Sequence, residues 1–315
     1  MLEPIPGTEN IEVKERFKER YSKLTNYDEF MKYSLSFLRK SIRVNTLKIS
    51  IEKLRGRMEK DWKFTQIPWC KEGFWIEHRE KRRDIGNTVE HQLGYIYVQE
   101  AASTIPPIVL HPEPGDVCMD MCAAPGSKTT QMAAYIQNKG MIIANDISGM
   151  RLRPLGINLQ RSGVSNTIVT LMQGRLFEKA RIEFDRVLID APCSGTGTIR
   201  KSLKTLEMWN PDMIKRLAAI QRQLIDTGYR ILKPEGTLVY STCSLEPEEN
   251  EGVIDFLINK YKNVKIEEIS IDIKRSDPIL NFETNTYNKE IKKCLRIWPQ
   301  DNDTEGFFVA KIKKN

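Results

Sequence analysis

From about residue 115 onward one pattern repeats: a short apolar run, a turn carrying glycine or aspartate, then a stretch with helical spacing. Val117-Cys-Met-Asp120 leads into Met121-Cys-Ala-Ala-Pro-Gly-Ser-Lys-Thr129 and a helix to about 138, and Met141-Ile-Ile-Ala-Asn-Asp146 leads into a helix at 148–162. Strands are predicted again near 166–171, 184–190 and 236–242, helices at about 212–232 and 248–261, and a β-rich stretch at 294–312. Such alternation predicts an α/β fold, a mostly parallel sheet covered on both faces.

The loop at 121–129 decides which ligand such a sheet would take. A phosphate-binding P-loop needs Gly, four residues, then Gly-Lys-Ser/Thr, but Cys122 holds the first position and Ser127 separates Gly126 from Lys128. A dinucleotide loop needs three glycines, and this one has a single glycine. What remains is a tight turn opening a helix N-terminus, whose free N–H groups suit a carboxylate as well as a phosphate. Asp146, ending the second strand, sits where an acid binds ribose hydroxyls. A ribose and a carboxylate without a pyrophosphate describe S-adenosylmethionine.

Two cysteines then bear on the chemistry. Cys193 in Asp190-Ala-Pro-Cys-Ser-Gly195 and Cys243 in Ser241-Thr-Cys-Ser244 each follow the end of a predicted strand, where the ligand crevice of an open α/β sheet lies. Cytosine C5 is a poor nucleophile, so its methylation requires a thiolate to add first at C6. A second thiol or base is useful afterwards, because the adduct must lose the C5 proton and release the enzyme. The residue chemistry does not choose which thiol attacks. The six cysteines, at 70, 118, 122, 193, 243 and 294, are too scattered for a secreted disulfide scaffold, and with three histidines they make no zinc pattern. No metal is expected. No signal pattern or membrane span is apparent, so the expected location is cytoplasmic, without a membrane partner.

The first third reads differently. Residues 10–40 have helical spacing, and a strand at 41–48, a helix at 51–60 and strands near 63–69 and 73–77 make a small α+β unit. Lys81-Arg-Arg83 and the following turn suggest a boundary, dividing the chain into an N-terminal module at 1–90 and a larger domain at 91–315. The formal net charge is +7, and residues 1–90 carry 20 Lys and Arg against 15 Asp and Glu, so the excess is concentrated where a polyanion would bind. Arg43, Asn45 and Lys48 alternate onto one strand face, Gln99 stands at the domain junction and Arg200 follows the Cys193 loop. These five are the expected contacts to such a polyanion, which the resemblance described next implies is RNA.

The segments Tyr97-Val-Gln-Glu-Ala-Ala-Ser103, Asp120–Thr129, Asp190-Ala-Pro-Cys-Ser-Gly-Thr-Gly197 and Tyr240-Ser-Thr-Cys-Ser-Leu-Glu-Pro-Glu-Glu-Asn-Glu251 closely resemble the Nop/Sun family of RNA cytosine-5 methyltransferases. Arg43-Val-Asn-Thr-Leu-Lys48 and Glu305-Gly-Phe-Phe308 extend the similarity over roughly 40–312. The compact chain looks most like the archaeal tRNA enzymes of that family. The resemblance implies a class I, Rossmann-like methyltransferase sheet with a small N-terminal RNA-recognition-like domain, acting as a monomer on tRNA, not DNA. An rRNA substrate is the alternative. It implies that Cys243 attacks C6, Cys193 assists release, Asp190 holds the N3 or amino edge of cytosine, and Lys128 orients Asp190 and lowers a thiol pKa. By the same resemblance the methyl donor is held by Cys122, Ala123, Ala124, Pro125, Gly126, Ser127 and Lys128, with Asp146, Arg151 and Asp190. Gln173 stands where the family usually places an acid for the adenine amino group. A stacked base hides its C6 face, so the target is expected in a loop or flipped out.

Overall fold

In the computed structural model, which describes residues 2–82 and 84–315, strand formation follows the apolar runs. Arg83, in the basic triplet read as a boundary, lies outside the described residues. The N-terminal sheet is built from β1 (Ser41–Val44), β2 (Trp62–Gln66), β3 (Gly73–His78) and β4 (Ile96–Val98), all antiparallel in the order β2-β3-β1-β4. Its core joins Ile42, Val44, Phe74, Ile76 and Ile96 to Leu54 and Met58 of the helix Ile51–Met58, which Ser50 caps through the Lys53 N–H. The first strand is shorter than the sequence suggests, because the chain turns after Val44. The fourth strand lies beyond residue 90, so this sheet reaches past the expected boundary.

The larger sheet carries β5 (Val117–Asp120), β6 (Met141–Asp146), β7 (Thr167–Leu171), β8 (Phe184–Asp190), β9 (Leu232–Thr242) and β10 (Val264–Glu267). A small hairpin, β11 (Asn281–Phe282) and β12 (Asn285–Thr286), precedes β13 (Leu295–Ile297) and β14 (Phe307–Lys314). The order is β10-β14-β9-β8-β5-β6-β7, with β13 also paired to β14. From β9 to β7 every pairing is parallel, whereas β14 runs antiparallel beside β9. This is the class I, Rossmann-like methyltransferase arrangement. Its strand order reverses at β5, so the crevice opens at the carboxyl ends of β5 and β8.

Both faces are covered. Val187, Ile189, Leu238 and Tyr240 pack against Leu224, Ile225 and Tyr229 of the helix Pro211–Arg230, whose start is set by Pro211 and by Asn210 capping the Asp212 N–H. Cys118, Ile142, Leu188 and Val239 meet Ile105, Val109 and Met132 on the other side. No helix among the described residues is long and apolar enough to cross a membrane.

The two N-terminal helices do not belong to the small sheet. Phe17 and Tyr21 of Glu15–Leu24 and Phe30 of Tyr27–Ser34 pack with Ile199, Trp209, Leu245 and Trp298. Phe17 stacks on Tyr21 at 4.1 Å between centroids and meets Trp209 edge-on at 5.3 Å. Residues before 90 therefore serve two cores, one of them shared with the end of the chain.

Candidate active site

The turn after β5 begins the site. Gly126, at φ 104°, occupies the left-handed region, and a Cβ there would lie 2.8 Å from Leu155 Cδ1. The helix Ser127–Tyr135 starts immediately after it, bringing its first residues, Ser127 and Lys128, to the cavity wall and burying Lys128. Lys128 Nζ donates to Asp190 Oδ2 at 2.7 Å and to Ser103 Oγ at 3.1 Å, while Ser241 Oγ donates to Asp190 Oδ1 at 2.8 Å. Burial alone would lower the Lys128 ammonium, but the Asp190 charge and hydrogen bond more than offset it and hold its pKa above the usual value.

Cys193 Sγ and Cys243 Sγ lie 3.3 Å apart. The Cys243 sulfur, followed by burial, pushes the Cys193 thiol well above its ordinary range, so Cys193 stays protonated near neutral pH. Their two loops are stitched together by backbone: Gly197 N donates to Cys243 O at 2.9 Å, and Gly306 N donates to Gly197 O at 2.9 Å. A Cβ on Gly197 would sit 2.3 Å from Gly306 O, so only glycine allows this crossing. Glu249 fastens the loops a second time. It accepts from the Ser194 N–H at 3.0 Å, the Ser194 hydroxyl, the Ser244 hydroxyl at 2.8 Å and Gln221 Nε2 at 2.8 Å. The serine after each cysteine is thus tied to one buried carboxylate.

Cys243 and the Lys128–Asp190 pair border a cavity of about 300 Å³. The loop Cys122–Pro125, Ser127, Lys128, Asp190 and Cys243 line it, as do Asp120, Glu100 and Glu305. Asp120 is 1% exposed and its Oδ1 has no hydrogen-bond partner, although Thr129 Oγ1 donates to Oδ2 at 2.7 Å. Burial pushes its carboxyl up to about 7. Asp146 Oδ1 accepts from Ser148 N at 3.0 Å, and Arg151 bridges its Oδ2 at 3.3 Å to Ala124 O at 2.6 Å. Gln173 is exposed, and its amide oxygen is already taken by Arg175 Nε at 2.9 Å. Among the described residues no group of three or more His, Cys, Asp or Glu could hold a metal.

Four of the five residues expected to contact RNA, Arg43, Asn45, Gln99 and Arg200, are buried, and only Lys48 is exposed. Arg43, 1% exposed, donates to Gln99 Oε1 at 2.8 Å and Thr130 Oγ1 at 2.9 Å, reaching across from β1 to the larger domain. Buried Asn45 donates to Gly94 O and Ser162 O, both at 2.8 Å, and Lys48 Nζ caps Leu93 O and Arg161 O. Gln99 is buried and bonded to Gln131 and Ser103. Arg200 is buried too, donating to Phe37 O at 2.7 Å and Thr304 O at 3.2 Å and pairing with Asp303 at 2.8 Å. Arg43, Asn45 and Lys48 join the two parts of the chain, Gln99 extends that network, and Arg200 pins the Cys193 loop. Glu249, Glu246 and Glu251 were not singled out from sequence, because a run of acids before a helix gives no sign of which ones turn inward.

Two family models match in succession, the N-terminal domain of 16S rRNA methyltransferase RsmF over residues 13–101 and 16S rRNA methyltransferase RsmB/F over 107–313. The tRNA (cytosine(49)-C(5))-methyltransferase of Pyrococcus abyssi is 46% identical over 312 residues, 96% of this chain and 99% of its own length. Ribosomal RNA small subunit methyltransferase F of Shewanella amazonensis is 45% identical over 292 residues, and there the chain spans 60% of the relative's length. Among solved structures, a methyltransferase homolog from Pyrococcus horikoshii superposes with a TM-score of 0.86 at 38% identity, covering 96% of this chain and 95% of that one. NSun6 from Pyrococcus horikoshii, solved with SFG, gives 0.83 at 28% identity, with 96% and 97% covered. The matches to both parts, in the order and with the sheet described above, mean that the chain belongs to the RsmB/F, or Sun/Nop, family of S-adenosylmethionine-dependent RNA cytosine-5 methyltransferases.

Proposed function

We propose that the protein methylates C5 of cytosine in tRNA, with Cys243 forming a covalent bond to C6. The observation that carries the tRNA reading is the correspondence with the Pyrococcus abyssi tRNA enzyme from end to end at 46% identity. Its cytosine 49 is the first position to test. An rRNA substrate is the second reading, favoured by 45% identity to the Shewanella rRNA enzyme.

Support for Cys243 as nucleophile comes from the cavity wall, which includes Cys243 but not Cys193, while the Cys193 sulfur stands 3.3 Å away within hydrogen-bonding reach of it. Lys128, held by Asp190 and Ser103, provides the positive charge near a developing thiolate. Asp190, fixed by Lys128 and Ser241, offers an oriented carboxyl to the N3 and amino edge of the ring. When bound, S-adenosylmethionine supplies the electrophilic methyl group. The residues suit that ligand: the orphaned Asp120 oxygen matches its cationic character, the N–H groups opening the Ser127–Tyr135 helix match its carboxylate, and Asp146 matches its ribose.

The test compares tRNA transcripts with small-subunit rRNA fragments as methyl acceptors, mapped by bisulfite sequencing. Cys243→Ala is expected to abolish methylation without trapping RNA, and Cys193→Ala to accumulate a denaturant-resistant protein–RNA complex. The opposite pattern overturns the assignment, and preference for the rRNA fragments selects the second reading.

A further inference from the structure

After methyl transfer C5 carries both the methyl group and a hydrogen, and something must take that proton before Cys243 can leave. Of the acids that line the cavity or brace its thiol loops, most have their oxygens occupied, and Asp120, which keeps one free, lies on the donor side at the end of β5. Asp190 is held by Lys128 and Ser241. Glu249 accepts four hydrogen bonds. Glu100 is capped by two backbone amides, Ser103 N at 3.1 Å and Glu305 N at 3.2 Å. The Cys193 thiol holds its own proton. Glu305 differs: it lines the cavity, is 4% exposed, and its Oε1 has no hydrogen-bond partner, with Lys201 Nζ at 3.9 Å.

Strand order says where Glu305 stands. Read along the edge of the sheet, the site runs from Asp146 after β6, through the Cys122 loop after β5 and Asp190 after β8, to Cys243 after β9 and Glu305 just before β14. Phe308 is the register partner of Thr242, and Gly306 joins Cys243 through Gly197, so Glu305 is locked beside the Cys243 turn. Neighbouring strands are about 4.8 Å apart. A base seated at Cys243 and Asp190 therefore has the donor loops on one side and Glu305 on the other. The methyl group arrives from the donor side and turns the C5 hydrogen toward the opposite face.

We propose that Glu305 is the base that removes the C5 proton, an inference that rests on the covalent reading above. The C5–H bond breaks and its electron pair becomes the C5=C6 double bond. The C6–S bond breaks in the same elimination, its pair leaving on Cys243 as thiolate, and the proton passes to the Glu305 carboxylate. Cys193 S–H, 3.3 Å from the departing sulfur, stabilises it. Burial raises the Glu305 carboxyl, Lys201, Lys128 and Arg200 oppose that rise, and Asp190 adds to it, while burial and the Glu305 charge hold neighbouring Glu100 at about 8. Burial therefore makes the Glu305 carboxylate a stronger base than an exposed glutamate.

The test uses the full chain with two tRNA transcripts, one carrying [5-³H]cytidine and one carrying 5-fluorocytidine, whose C–F bond blocks the elimination and traps the adduct formed before it. Glu305→Gln is expected to trap on the fluorinated transcript as well as wild type. On ordinary tRNA it should accumulate a methylated covalent complex, with tritium release and turnover lowered on the order of 10²-fold. Glu305→Asp, which keeps a retracted carboxylate, should fall between the two and guards against a folding defect in the amide variant. Tritium release by Glu305→Gln within about threefold of wild type overturns the proposal, as does loss of fluorocytidine trapping in that variant, which would place Glu305 before methyl transfer. Failure of wild type itself to trap on the fluorinated transcript removes the covalent reading, an outcome distinct from either.

Discussion

Three of the four acids in the eight residues after Cys243 are fully buried, and of the four acids that line the cavity Asp120 and Glu305 are buried too, yet burial is completed differently in the two places. Glu246 accepts from Arg20, Tyr21 and Trp209 at 2.8–2.9 Å, Glu249 from four donors, and Glu251 from the Arg296 guanidinium at 2.8 and 2.6 Å. Asp120 and Glu305, by contrast, each keep an oxygen with no partner. A buried carboxylate with its lone pairs filled is a fastening, since removing it strands several donors. One with an empty lone pair is a site waiting for a ligand, and it costs the unliganded fold about 1–3 kcal/mol. The Cys243 turn is built for shape and the cavity wall for binding.

The sharpest way to break the comparison is at the most enclosed pair. Arg296→Met leaves Glu251 charged and uncompensated where both side chains are 0% exposed, and should lower stability by about 3–5 kcal/mol in urea titrations. A loss under 1 kcal/mol would mean that the acids after Cys243 are not fastenings. Glu249→Ala comes next. It frees the donors of Ser194, Ser244 and Gln221, costing about 2–3 kcal/mol, and loosens both thiols, so turnover should fall well below that of Glu249→Gln, which keeps an acceptor. Equal turnover for the two variants would separate the carboxylate from thiol placement.

The smallest effect has the opposite sign. Asp120 is held at about 7 by burial, above the value of about 3.9 for an unfolded chain, so the folded protein binds the proton more tightly between those values. Stability without donor should therefore decline as pH rises from about 4 to about 7. Asp120→Asn removes that slope, and its melting temperature should exceed that of wild type by a few degrees at pH 8. A variant less stable than wild type at pH 8 would show that the orphaned oxygen is not a liability in the unliganded state.

The parallel sheet was legible because its strands are continuous apolar runs ending in Asp120, Asp146 and Asp190, and β8 was placed to the residue. Much of the cavity lining was legible because motif residues sit at strand ends. What escaped the sequence was the fate of individual charges. Arg43 and Arg200 read as surface cations, yet each is buried and hydrogen-bonded by partners far along the chain, Gln99 and Thr130 for one, Phe37, Asp303 and Thr304 for the other. No local pattern announces such partners. The same limit hid the attachment of residues 15–34, since helical spacing in Phe17, Tyr21 and Phe30 shows that a face is buried but not against what.

That attachment bears on how the protein is made. Phe17, Tyr21 and Phe30 emerge from the ribosome early, but Trp298, against which they close, is translated nearly 280 residues later. At about 5–20 residues per second the aromatic face waits roughly 15–60 s for its partner. During that interval it is sticky surface on a nascent chain, so the yield of folded enzyme in the cell should depend on chaperones that bind the first helices during synthesis.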